Sequence, residues 1–129
     1  MKLNNDLIRD ILLTVEDTTG YQKQLIIYRP YEGDNDLPFI KDYDTEELLY
    51  HIYQCSDSGL IKLGIQTAEY IYITDLSPKG HSYLENIRND NVWSKTKSVA
   101  SKIGSKSLDS MIEISSKVIT QLIIHELGI

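Results

Sequence analysis

His51 and Cys55 stand four residues apart. On a helix that spacing brings an imidazole and a thiol to one side of the rod. Such a pair is half of a tetrahedral zinc site, or two members of a thiolate catalytic pair. Zinc needs further ligands, however. The other histidines, His81 and His125, are remote in sequence, and Cys55 is the sole cysteine, so no Cys-x-x-Cys motif exists. Cys55 also falls with Leu48, Leu49 and Ile52 on the apolar side of its segment, where a small core residue is the simpler reading. No metal, no cofactor and no catalytic residue is expected.

Carboxylates are the next source of chemistry. Glu32, Asp34, Asp36, Asp42, Asp44, Glu46 and Glu47 crowd one segment, with Lys41 the only basic residue among them. A hydrolase holds two carboxylates at a fixed separation, and a flexible loop with Gly33, Pro30 and Pro38 is a poor frame for that. The run Asp34-Asn35-Asp36-Leu37-Pro38 departs from the calcium-loop pattern after its second acid. No phosphate-cradling glycine loop and no Gly-x-Ser-x-Gly elbow is present. Gly80, in Pro78-Lys79-Gly80-His81, reads as a helix-start glycine.

The opposite charge collects further on. Lys95, Lys97, Lys102 and Lys106 occur with no acid between Asn91 and Ser107. They are candidates for DNA phosphate contacts, or they keep the surface soluble. The chain of 129 residues carries 13 basic and 19 acidic side chains, a formal charge of −6. Residues 1–60 hold 5 basic and 12 acidic groups, residues 61–129 hold 8 and 7. Duplex binding rests on many Lys and Arg contacts, so this balance disfavours a general nucleic-acid binder. Hydrophobic residues at 41% and charged residues at 25% describe an ordinary globular chain. The apolar run from Val118 to Leu127 is too short and too interrupted to span a bilayer. With no signal peptide at the start of the sequence, a cytoplasmic protein is expected.

These groups need a scaffold. Asn4 or Asn5 caps a helix to about Asp17, with Leu7, Ile8, Ile11, Leu12 and Val15 on one face. Leu25–Tyr28 reads as a short strand. Asp44 or Thr45 caps a second helix through about Ser56, which Gly59 closes. Its outward side carries Glu46, Glu47, Tyr50, Gln54 and Asp57. Leu60–Ile65 and Glu69–Thr74 then form a β-hairpin across Gln66-Thr67-Ala68. Ser77 caps a third helix with Pro78 first in line. Trp93–Ile103 is helical and closed by Gly104. Ser107 caps a last helix from Leu108 to about Leu127. Met111, Ile112, Val118, Ile119, Leu122 and Ile123 make that helix apolar on more than one side, so it must be covered, by a second copy or by the 93–103 helix. Nine tyrosines, among them Tyr50, Tyr53, Tyr70 and Tyr72, suit a protein interface in the absence of flanking Arg or Lys.

Two stretches carry a family resemblance. Thr45 through Ile61, an amphipathic helix running into Gly59-Leu60-Ile61, resembles the recognition-helix segment of winged-helix regulators. Thr74 through Leu84, with Asp75-Leu76-Ser77-Pro78-Lys79-Gly80, resembles the helix that follows their wing. Residues 84–97, with Asn89-Asp90-Asn91-Val92-Trp93, and the opening Met1 to Leu13 are similar to an uncharacterised family of small proteins. That family comes from phages and prophages of low-GC Gram-positive bacteria, is a domain of unknown function, and is similar to YjcQ-type winged-helix phage proteins. The resemblance implies an α+β fold in residues 1–90: a winged helix-turn-helix-like domain of helix, short strand, helix and β-hairpin wing. Residues 91–129 form a C-terminal helical extension that packs on it or mediates homodimerisation. The family supplies no catalytic residues. A winged-helix domain also has a support helix before the recognition helix. Here it is either a single turn near Phe39-Ile40-Lys41-Asp42 or missing.

Two functions follow as expectations. In the first the protein is a dimeric regulator of double-stranded DNA. Glu46, Glu47, Tyr50 and Gln54 form its recognition helix, Lys62, Gln66, Thr67 and Glu69 its wing, and Lys95, Lys97, Lys102 and Lys106 reach phosphates. Only Gln54 there is suited to reading a base, and the glutamates repel phosphate. In the second the same scaffold binds a host or phage protein, its acids filling a basic nucleic-acid channel. The position of the acids of residues 32–47 discriminates between the two.

Overall fold

Each helix begins at a side-chain cap written in the sequence. In the computed structural model, which describes residues 1–129, α1 (Asn5–Thr18) starts where Asn4 Oδ1 accepts the Leu7 N–H at 3.2 Å. Leu7, Ile8, Ile11, Leu12 and Val15 are its buried side. β1 (Leu25–Tyr28) follows, then α2 (Thr45–Asp57), where Asp44 Oδ1 accepts the Glu47 N–H at 2.8 Å. Glu46 and Glu47 sit in its first turn, where negative charge suits the helix dipole. β2 (Ile61–Gln66) and β3 (Tyr70–Leu76) form the hairpin. The three strands make one antiparallel sheet in the order β1-β3-β2.

Strand alternation divides the sheet into two faces. Leu25, Ile27, Ile61, Ile71, Ile73 and Leu76 are buried beneath α1 and α2. Tyr28, Tyr70, Tyr72 and Thr74 point the other way. This arrangement is α+β, with five helices and a three-stranded antiparallel sheet, and is compatible with a winged-helix-like layout. No helix lies between β1 and α2. Three consecutive turns replace it: the N–H groups of Leu37, Ile40 and Tyr43 donate to the carbonyls of Asp34, Leu37 and Ile40 at 2.9, 3.2 and 3.4 Å. The single-turn alternative near residues 39–42 is therefore a turn and not a helix.

α3 (Pro78–Ile87) opens with Ser77 Oγ accepting the Gly80 N–H at 2.9 Å. The Ser77 N–H donates to the Leu60 carbonyl at 2.9 Å. A Cβ on Gly80 would lie 1.9 Å from that same oxygen, so only glycine lets the helix start this close to the strand. The chain divides within α3 into two units, Met1–His81 and Ser82–Ile129.

In the second unit Asn89 caps α4 (Asp90–Ile103), its Oδ1 accepting the N–H groups of Asn91 and Val92 at 2.8 and 3.2 Å. α4 thus begins three residues before Trp93, because the cap is Asn89. Gly104, at φ +74°, ends it in the left-handed conformation that glycine favours. Ser107 caps α5 (Leu108–Leu127). The buried residues of this stretch are Tyr83, Leu84, Ile87, Val92, Trp93, Thr96, Ala100, Leu108, Met111, Ile114 and Ser115. No helix of the chain is long and apolar enough to cross a membrane.

Candidate functional site

The His51–Cys55 pair is structural. His51 is buried on the inner side of α2. Its Nε2 accepts the Asn4 N–H at 2.8 Å, which leaves the ring proton on Nδ1, facing the Glu47 carbonyl at 2.7 Å. Both nitrogens are committed to joining the start of α1 to α2. Cys55 is fully buried, and burial pushes its thiol up, away from thiolate. No three His, Cys, Asp or Glu side chains converge anywhere in the chain in a way that could hold a metal ion.

The acidic segment is anchored, contrary to the flexible loop its prolines and glycine suggest. Tyr31, Leu37 and Ile40 are buried beneath it. The Tyr31 hydroxyl donates to the Ile40 carbonyl at 3.0 Å. Thr45 Oγ1 accepts the Tyr31 N–H at 2.7 Å and donates to the Tyr31 carbonyl at 3.0 Å, tying the loop to the first residue of α2. Gly33, at φ +83°, passes so near the Lys41 carbonyl that a Cβ would sit 2.7 Å from it. Sequence reasoning missed the hidden Tyr31, Leu37 and Ile40, although their roughly regular spacing among acids was the available signal.

Glu32, Asp34, Asp36, Asp42, Asp44 and Glu46 are all exposed, and of these Asp44 and Glu46 stand at the N-terminal end of α2. Glu47 is half-buried and accepts the Asn4 side-chain amide at 3.3 Å. The start of the segment read as a recognition helix is therefore acidic, with Asp44, Glu46 and Glu47 in place, and the Tyr31–Thr45 bonds tie the beginning of the acidic loop to it. Farther along α2, Tyr50 and Gln54 are half-buried. The neighbouring Tyr53 is occupied internally: Arg29 Nη2 donates to its hydroxyl at 2.6 Å, and the hydroxyl donates to Gln66 Oε1 at 3.0 Å. This chain links the end of β1, α2 and the hairpin.

The hairpin turn is closed by Thr67, whose Oγ1 accepts the N–H groups of Glu69 and Tyr70, both at 3.1 Å. Lys62 and Glu69 are exposed, with Glu69 the charged residue at the tip. On the outer sheet face Tyr70 and Tyr72 stack with centroids 5.0 Å apart. Tyr28 meets Tyr70 edge-on at 6.5 Å, a third tyrosine that the strand register brings in.

The four lysines lie in the second unit. Lys95, Lys102 and Lys106 are exposed, and Lys97 is half-buried with its ammonium 5.5 Å from the Trp93 ring centre. Lys95 and Lys102 are seven apart on α4 and share a side, whereas Lys97 points elsewhere. Of the residues expected on a dimer helix, Met111 is 1% exposed and belongs to the interior of its own chain. Ile112, Val118 and Ile119 are half-buried, and Leu122 and Ile123 are exposed.

Comparison with known proteins agrees in extent. Residues 2–107 match the family described as "Hypothetical protein (DUF2513)". An "Uncharacterized protein" of Haemophilus influenzae is 30% identical over 131 residues, covering 95% of this chain and 99% of the relative. No solved structure matches. The match takes in all of α1 through α4 and stops at the cap of α5, and on that extent the chain belongs to the DUF2513 family.

Proposed function

We propose that the protein is a winged-helix-like binding module without catalytic chemistry, and that its α2 edge engages a basic partner protein in the cytoplasm. The observation that carries this reading is the run of exposed acids Glu32, Asp34, Asp36, Asp42, Asp44 and Glu46 along a loop tied to Thr45 and into the first turn of α2. In a winged-helix reader that helix enters the major groove, where phosphates flank it on both sides. Exposed carboxylates there repel duplex DNA and attract a surface built to hold it. The hairpin tip adds Glu69 and no cation. The first unit as a whole holds 7 basic and 14 acidic residues. The partner that this chemistry fits is a nucleic-acid-binding protein of a host or a phage.

A second reading, a regulator that binds double-stranded DNA, draws on one observation, the exposed Lys95 and Lys102 on one side of α4. The two readings separate on one assay. Fluorescence anisotropy is followed with a labelled decalysine peptide and with a labelled random duplex, at low and physiological salt. The first reading expects salt-sensitive binding of the peptide, lost in the triple variant Asp34→Lys, Asp36→Lys, Glu46→Lys, and none of the duplex. Duplex binding lost on charge reversal at Lys95 and Lys102 would favour the second.

A further inference from the structure

α4 and α5 form an antiparallel hairpin across the short loop 104–107. Along one face of it runs an open groove of about 650 Å³. Its floor is apolar, with Val99, Ile114, Val118 and Leu122. α5 has 20 residues and α4 has 14. At about 1.5 Å per residue, α5 therefore overruns its neighbour by about 9 Å. The overrun is where Leu122, Ile123 and Leu127 stand 49%, 53% and 66% exposed. At the other end of the hairpin Ile103 lines the groove and is 61% exposed.

From this geometry we infer that the groove seats α5 of a second copy of the chain. A two-fold axis on the groove face, midway between Glu113 and Lys117 along the helix, sets the two α5 helices antiparallel. Glu113 and Lys117, both on the groove wall, are equally spaced about that axis. Each glutamate then meets the partner's lysine, and the contact is made twice, so the face is complementary to itself. The same operation sets Leu122 at the level of the start of the other α5, the end of the hairpin where Ile103 is uncovered. Val118 and Leu122 enter the groove from both sides, and the two hairpins become four helices. One side of α5 packs inside its own chain and the other inside the dimer, which accounts for a helix apolar beyond one stripe. A soluble ligand of apolar character would fill the groove but would leave the overrun bare. The inference concerns the second unit alone and stands apart from the acidic-edge reading.

Sedimentation equilibrium across a micromolar concentration series tests it, with far-UV circular dichroism as the fold control. The full chain is expected to be a dimer, and Leu122→Glu a monomer of unchanged helicity, since Leu122 is not part of the interior. Glu113→Lys and Lys117→Glu should each weaken association about tenfold, two surface pairs being lost per dimer. The double swap should restore it. A monomeric wild type, a dimer that survives Leu122→Glu, or single swaps that the double variant fails to rescue would overturn the assignment.

Discussion

Gly80 occupies ordinary helical backbone, and its identity is set by what faces it. The Leu60 carbonyl already accepts the Ser77 N–H and leaves no room for a methyl group. Gly80→Ala should therefore lower stability by about 3 kcal/mol, the overpacking range, as read from urea unfolding. A wild-type midpoint would mean that the start of α3 can shift away from Leu60. Cys55 follows from burial in the same way. Native protein should react with dithionitrobenzoate only as fast as it opens, and at once in denaturant; fast native reaction would contradict a thiol locked in the core. Tyr43 donates to Asp10 Oδ2 at 3.1 Å. Burial, then the Asp10 charge, pushes its hydroxyl from 10.0 to about 12. The folded pKa lies above the unfolded one. Its contribution is thus full below pH 10.0 and is lost as pH rises through about 12. Burial raises Tyr31 as well. Unfolding midpoints should fall between those pH values, and Tyr43→Phe should flatten the fall; an unchanged slope would remove Tyr43 as its cause.

At the scale of elements, legibility followed local signals. Ser77 and Ser107 were readable as caps, and Asn4 and Asp44 each as one of two neighbouring candidates beside Asn5 and Thr45, because a short polar side chain before an apolar period has one common use. The hairpin was readable from alternation, although its bulges between Lys62 and Gln66 were not. Side-chain partners reaching across the chain were the hidden part. His51 looked like a ligand by spacing, yet it is a cross-link to Asn4, 47 residues away. The acidic loop looked flexible by composition, yet Tyr31 and Thr45 bind it to α2. Residues far apart in sequence made both decisions, and periodicity carries no record of such contacts. The tyrosine face was half legible, since Tyr70 and Tyr72 alternate on one strand while Tyr28 joins them through the β1–β3 register.

At the scale of the molecule, net charge is segregated by unit. The first unit carries most of the acids, 14 against 7 basic residues, and its acidic loop is hydrogen-bonded to the start of α2. The second is close to neutral, with 6 basic and 5 acidic residues, and carries the exposed apolar helix end. Partner binding by the first and self-association by the second are separable, so a monomeric Leu122→Glu variant should retain whatever the α2 edge binds. That the loop is tied to α2 was open in the sequence, because the carboxylates of Glu32, Asp34, Asp36 and Asp42 can point anywhere until the loop is anchored. The most direct measurement of the central claim is anisotropy of a labelled random duplex titrated with the protein at low salt, beside the decalysine probe. The account predicts that the peptide binds, that binding weakens steeply with salt, and that the duplex stays free. Duplex binding with a steep salt dependence, and no affinity for the peptide, would contradict it.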